Sequence, residues 1–354
     1  MKRIPSQWLW TAALLAALVL AFVLGRNTAP ARTIVVSVSD ATGTKPAAGA
    51  VQDATMLYAH NLLLHKGPHF RVYVRWIRGQ MLRTSNAQAV SLDAPESFLL
   101  EIHKGVIDAR FTDLADFLNS GQTAKPPLSN IQLANHDGQL QISGTAHKVI
   151  SVPVRLDGTL TPMPDGRLRY HLNKLNVLKI PMKGLFGLFH LDLKDLMPKT
   201  PTPGMTASGD DIYFDTPRLL PPPHIHGIIS SVILTDSGLR VIYGNAPNND
   251  DQLAQWHNFL HLVGGTISFG KLTMRQADIT MIDATDDPLF DLDLVNYQTQ
   301  LVYGTTRMTQ KAGVEVYMPD LDHLPPAALK AAQGVSLDWL RNRNTTPPVE
   351  IGGK

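Results

Sequence analysis

No cysteine occurs anywhere in the 354 residues. That absence removes disulfides, thiolate zinc sites, iron–sulfur clusters and thiol nucleophiles together, and with them the lipidated N-terminal cysteine of a bacterial lipoprotein. A charge excess of one sign is missing as well. The 32 Lys+Arg stand against 30 Asp+Glu, a net charge of +2, and no Lys/Arg run marks a phosphate-binding face, which argues against nucleic acid as a partner. G-x-G-x-x-G, P-loop and G-x-S-x-G signatures do not occur. The chain is therefore read as a non-enzyme, with no catalytic residue, no metal ligand set and no cofactor assigned. A hydrophobic content of 44% over this length is enough for one large or two ordinary domains.

Long hydrophobic runs are confined to one place. Lys2 and Arg3 precede WLWTAALLAALVLAFVL, uncharged from Trp8 to Leu24, with Trp8 and Trp10 placed as interfacial aromatics. Ala29 and Ala31 form an A-x-A pattern that suits cleavage. Both readings, uncleaved anchor and signal peptide, send the remainder across a membrane. The expectation is a single-pass inner-membrane protein with its bulk in the periplasm, or a secreted soluble form if cleavage follows Ala31.

The exported part reads as mixed α and β. TIVVSVSD (33–40) has strand composition. In VQDATMLYAHNLLLHKG (51–67), Val51, Ala54, Leu57, Tyr58, Asn61, Leu62 and His65 recur at helical spacing, which predicts an amphipathic helix. HFRVYVRWIRG then alternates, with Val72, Val74 and Trp76 on one face and Arg71, Tyr73, Arg75 and Ile77 on the other. Two strands are expected on either side of a Lys104-Gly105 turn, followed by a helix capped near Thr112. From residue 128 the pattern is β, with turns at His136-Asp137-Gly138, Asp157-Gly158 and Asp165-Gly166. Ile180 to Pro198 is the most apolar stretch outside the N-terminus; as a helix it is apolar on more than half its circumference, so it is either buried against a sheet or lines something apolar. NNDDQLAQWHNFLHLVGG (248–265) predicts another helix stopped by its two glycines, and further strands follow.

Three groups carry possible metal chemistry. His224 and His226 fall on one face of a strand, led in by three prolines; without a nameable third ligand they read as exposed rings. His257 and His261 have zinc-protease spacing, but Asn258 stands where the general base belongs. Asp283, Asp286, Asp287, Asp291 and Asp293 fit either a calcium-holding loop or a solvated turn between strands.

The segments ARFTDLADFLNS, NIQLANHDGQLQISGTA, VPVRLDGTLTPMPDGRLRYHLNKLNV, IPMKGLFGLF and PHIHGIISSVILTDSGLRVIYG resemble successive blocks of bacterial LmeA-like phospholipid-binding proteins, which are similar to the tubular lipid-binding (TULIP) superfamily. The resemblance spans residues 104–244. A weaker one, to AsmA-type envelope proteins, extends beyond. The LmeA-like resemblance implies an α+β fold in which a strongly curved antiparallel sheet wraps a long apolar helix, with extra C-terminal strands, after one N-terminal membrane helix. It also implies lipid held along Leu185, Phe186, Leu188, Phe189 and Leu191.

The resulting expectation is a lipid carrier or binder organised as 1–31 (anchor or signal), 32–245 (lipid-binding domain), 246–330 (helix and strand extension) and 331–354 (tail). Its partners would be lipid, the membrane through the N-terminal helix, and envelope proteins. A structural or protein-interaction module of the envelope is the alternative, and an envelope hydrolase the third reading.

Overall fold

A computed structural model describes residues 54–66, 69–84, 87, 89–120, 126–147, 150–177, 192–197, 203–219, 222–244, 258–269 and 272–327. All of them belong to one compact unit, residues 48–354.

The first described element already departs from the sequence expectation. Residues Thr55–His65 form strand β1, not a helix. Leu57, Ala59 and Leu62 are all buried, and Asn61 has a φ of 48°. The alternation therefore skips one residue at Asn61, and a period of two with one skip imitates helical spacing. The segment at 248–265 misleads in the same way. Phe259–Phe269 is strand β14, and Gly264 and Gly265, both at positive φ, bend the strand instead of ending a helix. Residues 248–257 lie outside the described set.

The remaining strands are β2 (Arg71–Arg83), β3 (Val90–Ser91), β4 (Phe98–Arg110), β5 (Leu128–His136), β6 (Gln139–His147), β7 (Ser151–Pro162), β8 (Leu168–Val177), β9 (Met205–Ser208), β10 (Asp211–Phe214), β11 (His224–Gly227), β12 (Ile229–Leu234), β13 (Gly238–Tyr243), β15 (Leu272–Asp283), β16 (Phe290–Asp293), β17 (Thr305–Met308) and β18 (Val314–Met318). β4 is one continuous strand; the expected turn at Lys104-Gly105 does not occur.

The strands form two sheets. The larger has twelve strands, with the path β12-β13-β4-β2-β1-β14-β15-β18-β17 and with β11, β16 and β3 pairing to β4, β1 and β14. The smaller is a six-stranded antiparallel sheet, β5-β6-β7-β8-β10-β9.

Only three short α-helices occur among the described residues: α1 (Phe111–Ser120), α2 (Thr216–Leu219) and α3 (Tyr297–Tyr303). α1 matches the expected helix, and its Asn119 extends the smaller sheet's bonding pattern sideways. The Asn119 Nδ2 donates to the Ile131 carbonyl at 2.9 Å, while the Ile131 N–H donates back to Oδ1 at 2.9 Å.

These observations correct the expected fold class. The structure is mainly β-sheet, its sheets do not curl, and no long apolar helix is present among the described residues. The stretch expected to supply that helix lies at 178–191, outside the described residues; just after it, Leu193–Leu196 is a single 3-10 turn. The single-pass, inner-membrane reading is corrected too, since no helix among the described residues is long and apolar enough to cross a membrane. Trp8 to Leu24 lies outside them.

The apolar residues fill two adjoining cores. One lies along the inner face of the larger sheet, centred on Leu62, Met81, Leu262, Ile267, Met281 and Phe290. The other fills the smaller sheet's inner face, around Val152, Val154, Leu156 and Tyr170. Each sheet contributes to the other's core: Leu168 joins the first, and Leu234 and Leu239 pack on the second. Tyr170 is fully buried, its hydroxyl donates to the Leu140 carbonyl, and its ring lies over Gly158, where a Cβ would stand 2.4 Å from the ring.

Candidate functional site

The outer face of the larger sheet carries a cleft of about 370 Å³, and it arises from two adjacent irregularities. Between Val74 and Trp76 the β2–β4 register slips by one residue, so that Val74 faces Ile107 but Trp76 faces Val106. Arg75 is the extra residue, a β-bulge, which lets two consecutive side chains leave the core. On β1, His60 pairs with Trp76 and Leu62 with Val74, so Asn61 lies opposite the bulge. Val74 and Ile77 stay buried, while Arg75 and Trp76 both turn to the cleft.

Cross-strand pairing then sets up two rows. The first runs His60–Trp76–Val106–Ile242 across four strands. The second runs Asp108–Arg240–Ile233. The alternate residues Ile107, Val232 and Val241 pack on the core, so Val106, Ile233 and Ile242 are apolar on a face that solvent should make polar. Ile233 is 45% exposed.

Charge sits at one side of this apolar floor. Arg240 donates from Nε and Nη2 to the two Asp108 oxygens at 2.8 and 2.9 Å, a bidentate pair that raises the guanidinium pKa. Arg75 Nη1 is 4.0 Å from Asp108, too far for a hydrogen bond, and its side chain is 44% exposed. Two cations thus share one carboxylate, leaving a positive margin that can take an anion. The Tyr73 hydroxyl donates to Asn61 Oδ1 at 3.1 Å and fixes the wall beside them.

A second, larger cavity of about 920 Å³ shares Asn61 and is polar. Its walls include Asp283, Asp286 and Asp287 from the β15–β16 connection, Asn258, and the Arg307, Glu315 and Tyr317 group of β17 and β18. Arg307 Nε donates to Glu315 at 2.8 Å, and Tyr317 donates to the same carboxylate at 3.0 Å. Asn258 Nδ2 donates to Asp283 at 2.9 Å, and the Thr285 hydroxyl links Asp283 to Asp287.

Behind this cavity, Asp320 is 4% exposed. Its one hydrogen bond among the described residues comes from the Asp291 N–H, at 3.0 Å to Oδ1. Burial, joined by the carboxylates of Asp283, Asp287 and Asp291 and opposed by that N–H, pushes the Asp320 carboxyl up to about 8. Asp291 is pushed up to about 6, first by burial and then by Asp293 and Asp322. Its Oδ1 is 3.4 Å from His65 Nε2, close but without hydrogen-bond geometry. Burial, joined by the Arg71 charge and opposed by Asp293, lowers the His65 pKa despite that proximity.

The residues singled out from sequence are dispersed. Leu185, Phe186, Leu188, Phe189 and Leu191 lie outside the described residues. His224 and His226 are exposed on β11, paired with Leu99 and Glu101, and no further ligand converges on them among the described residues. His261 stands on a strand, not a helix, with Nε2 3.0 Å from Asp278; His257 lies outside the described residues. Of the acid group, Asp293 caps the turn before α3 by accepting the Val295 and Asn296 N–H groups, and Asp283 and Asp287 brace their own loop. The cleft was missed because Trp76 alternates in phase with Val74 in the sequence. The available signal was Arg75-Trp76 beside Ile77, where one skipped residue restores an apolar inner face.

No family model, no curated protein and no solved structure matches the chain.

Proposed function

We propose that the protein is a non-catalytic binder of an anionic acyl-chain lipid, held on the outer face of the larger sheet. The head group sits at Arg75, and the first methylenes lie on Trp76, Val106, Ile233 and Ile242. One observation carries this reading: an apolar cross-strand row with a half-exposed arginine at its margin, on the face opposite the core. A volume of about 370 Å³ is in the range of small-molecule sites. Burial of each methylene contributes about 0.8 kcal/mol.

The test is uptake of a fluorescent fatty acid by the full-length protein. Ile233→Asp puts a charge on the apolar floor without touching the core, and is expected to weaken binding at least about tenfold, or about 1.4 kcal/mol. Equal binding by the variant and the parent contradicts the reading.

A protein-interaction module is the second reading. The observation that favours it is the edge strand β17, exposed along its whole length and carrying Met308 at 65% exposure.

A further inference from the structure

Asp287, Asp320 and His323 each bring one ligand atom to within 4.8 Å of the other two. That is about the widest separation at which two oxygen ligands share one ion, given metal–oxygen distances of about 2.3–2.6 Å for the largest common divalent cation. The three come from two separate segments: Asp287 from the β15–β16 connection, Asp320 and His323 from the turn that follows β18. The set is two carboxylates and an imidazole, a mixed donor set and not merely a run of acids.

A separate observation concerns what Asp320 lacks. A carboxylate has about four acceptor positions, and this one, more than nine-tenths buried, receives a single backbone N–H. Its second oxygen has no donor among the described residues. An ionised, buried carboxyl group without a cation is strongly disfavoured. A cation held between it, Asp287 and His323 would supply the partner its second oxygen lacks. Asp287, on the cavity wall, and the half-exposed His323 ring give an ion a path of entry from solvent.

We propose that Asp287, Asp320 and His323 form a site for one divalent cation at the wall of the 920 Å³ polar cavity. The donor set selects a first-row transition ion, manganese or zinc, over calcium, because imidazole suits those ions and calcium prefers oxygen alone. Water from the cavity completes the coordination. The site is independent of the lipid cleft, since none of its three ligands lines that cleft.

The experiment uses the full-length protein stripped with a chelator and titrated calorimetrically with manganese or zinc chloride. The expected result is a single saturable site for one of the two ions, with affinity reduced at least about tenfold in His323→Ala and in Asp320→Asn. His323 is 52% exposed, so its variant decides the matter if Asp320→Asn fails to fold. Bound ion is also expected to raise the melting temperature of the parent and not of His323→Ala. No binding of either ion, or binding that His323→Ala leaves unchanged, overturns the proposal.

Discussion

Asn61 and Arg75 lie directly opposite each other on neighbouring strands, and each is the residue at which its strand skips one step of alternation. The two skips at one level keep the core faces of β1 and β2 in phase while turning Arg75 and Trp76 outward together. A local backbone device therefore produces a cleft that combines an apolar floor with cations at its margin.

The Asn61 conformation is selective for side chain. Its φ of 48° is tolerated by asparagine and glycine but strained for a β-branched residue. Asn61→Val is expected to lower unfolding free energy by about 1–3 kcal/mol, and Asn61→Gly by less, because glycine keeps the backbone unstrained while the Tyr73 hydrogen bond is lost. Urea denaturation of both variants checks the order; a valine variant as stable as the glycine one contradicts it.

The two arginines of the cleft should separate in experiment. Arg240 is bidentate to Asp108 and half-buried, so Arg240→Ala is expected to cost roughly 1 kcal/mol of stability, discounted for solvent screening. Arg75 has only the 4.0 Å contact, so Arg75→Ala leaves the melting temperature unchanged and weakens fatty-acid binding several-fold, about 1 kcal/mol. Higher salt should mimic the Arg75 loss.

Gly158 leaves the room that the Tyr170 ring occupies. A methyl group there must displace a fully buried aromatic whose hydroxyl is hydrogen-bonded. Gly158→Ala is expected to destabilise by about 1–3 kcal/mol, seen as a lower urea midpoint with an unchanged slope.

The protein should resist tyrosine ionisation while folded. Burial pushes Tyr243 up to about 12 and raises Tyr170 as well, the latter aided by Asp157. An unfolded tyrosine loses its proton near pH 10. Between there and pH 12 the unfolded chain has released protons that the native state retains, so stability is intact below pH 10 and falls as pH rises through that window. Ultraviolet absorbance should show these two rings titrating only together with unfolding.

Parts of this fold were legible because the determining physics is local. The polar turn at His136-Asp137-Gly138, with both Asp137 and Gly138 at positive φ, gave the β5–β6 hairpin. α1 was expected from the cap signal near Thr112, and Asp113 in its first turn agrees with that placement. β1 and β14 read as helices because one inserted residue, Asn61 in one and Gly265 in the other, changes period two into an apparent helical spacing. The wrapped-helix architecture was what the family resemblance implied, and the two open sheets overturn it. The cleft and the carboxylate–histidine cluster depend on cross-strand register and on contacts such as Asp291 with Asp320, which no single stretch of sequence encodes.

The most direct test of the lipid reading is photo-crosslinking of the full-length protein with a diazirine-bearing fatty acid, followed by peptide mass spectrometry. The account predicts label on the peptides that carry Trp76, Val106, Ile233 and Ile242, competed away by unlabelled fatty acid and reduced in Arg75→Ala. Label confined to other parts of the chain, or none that competes, would contradict it.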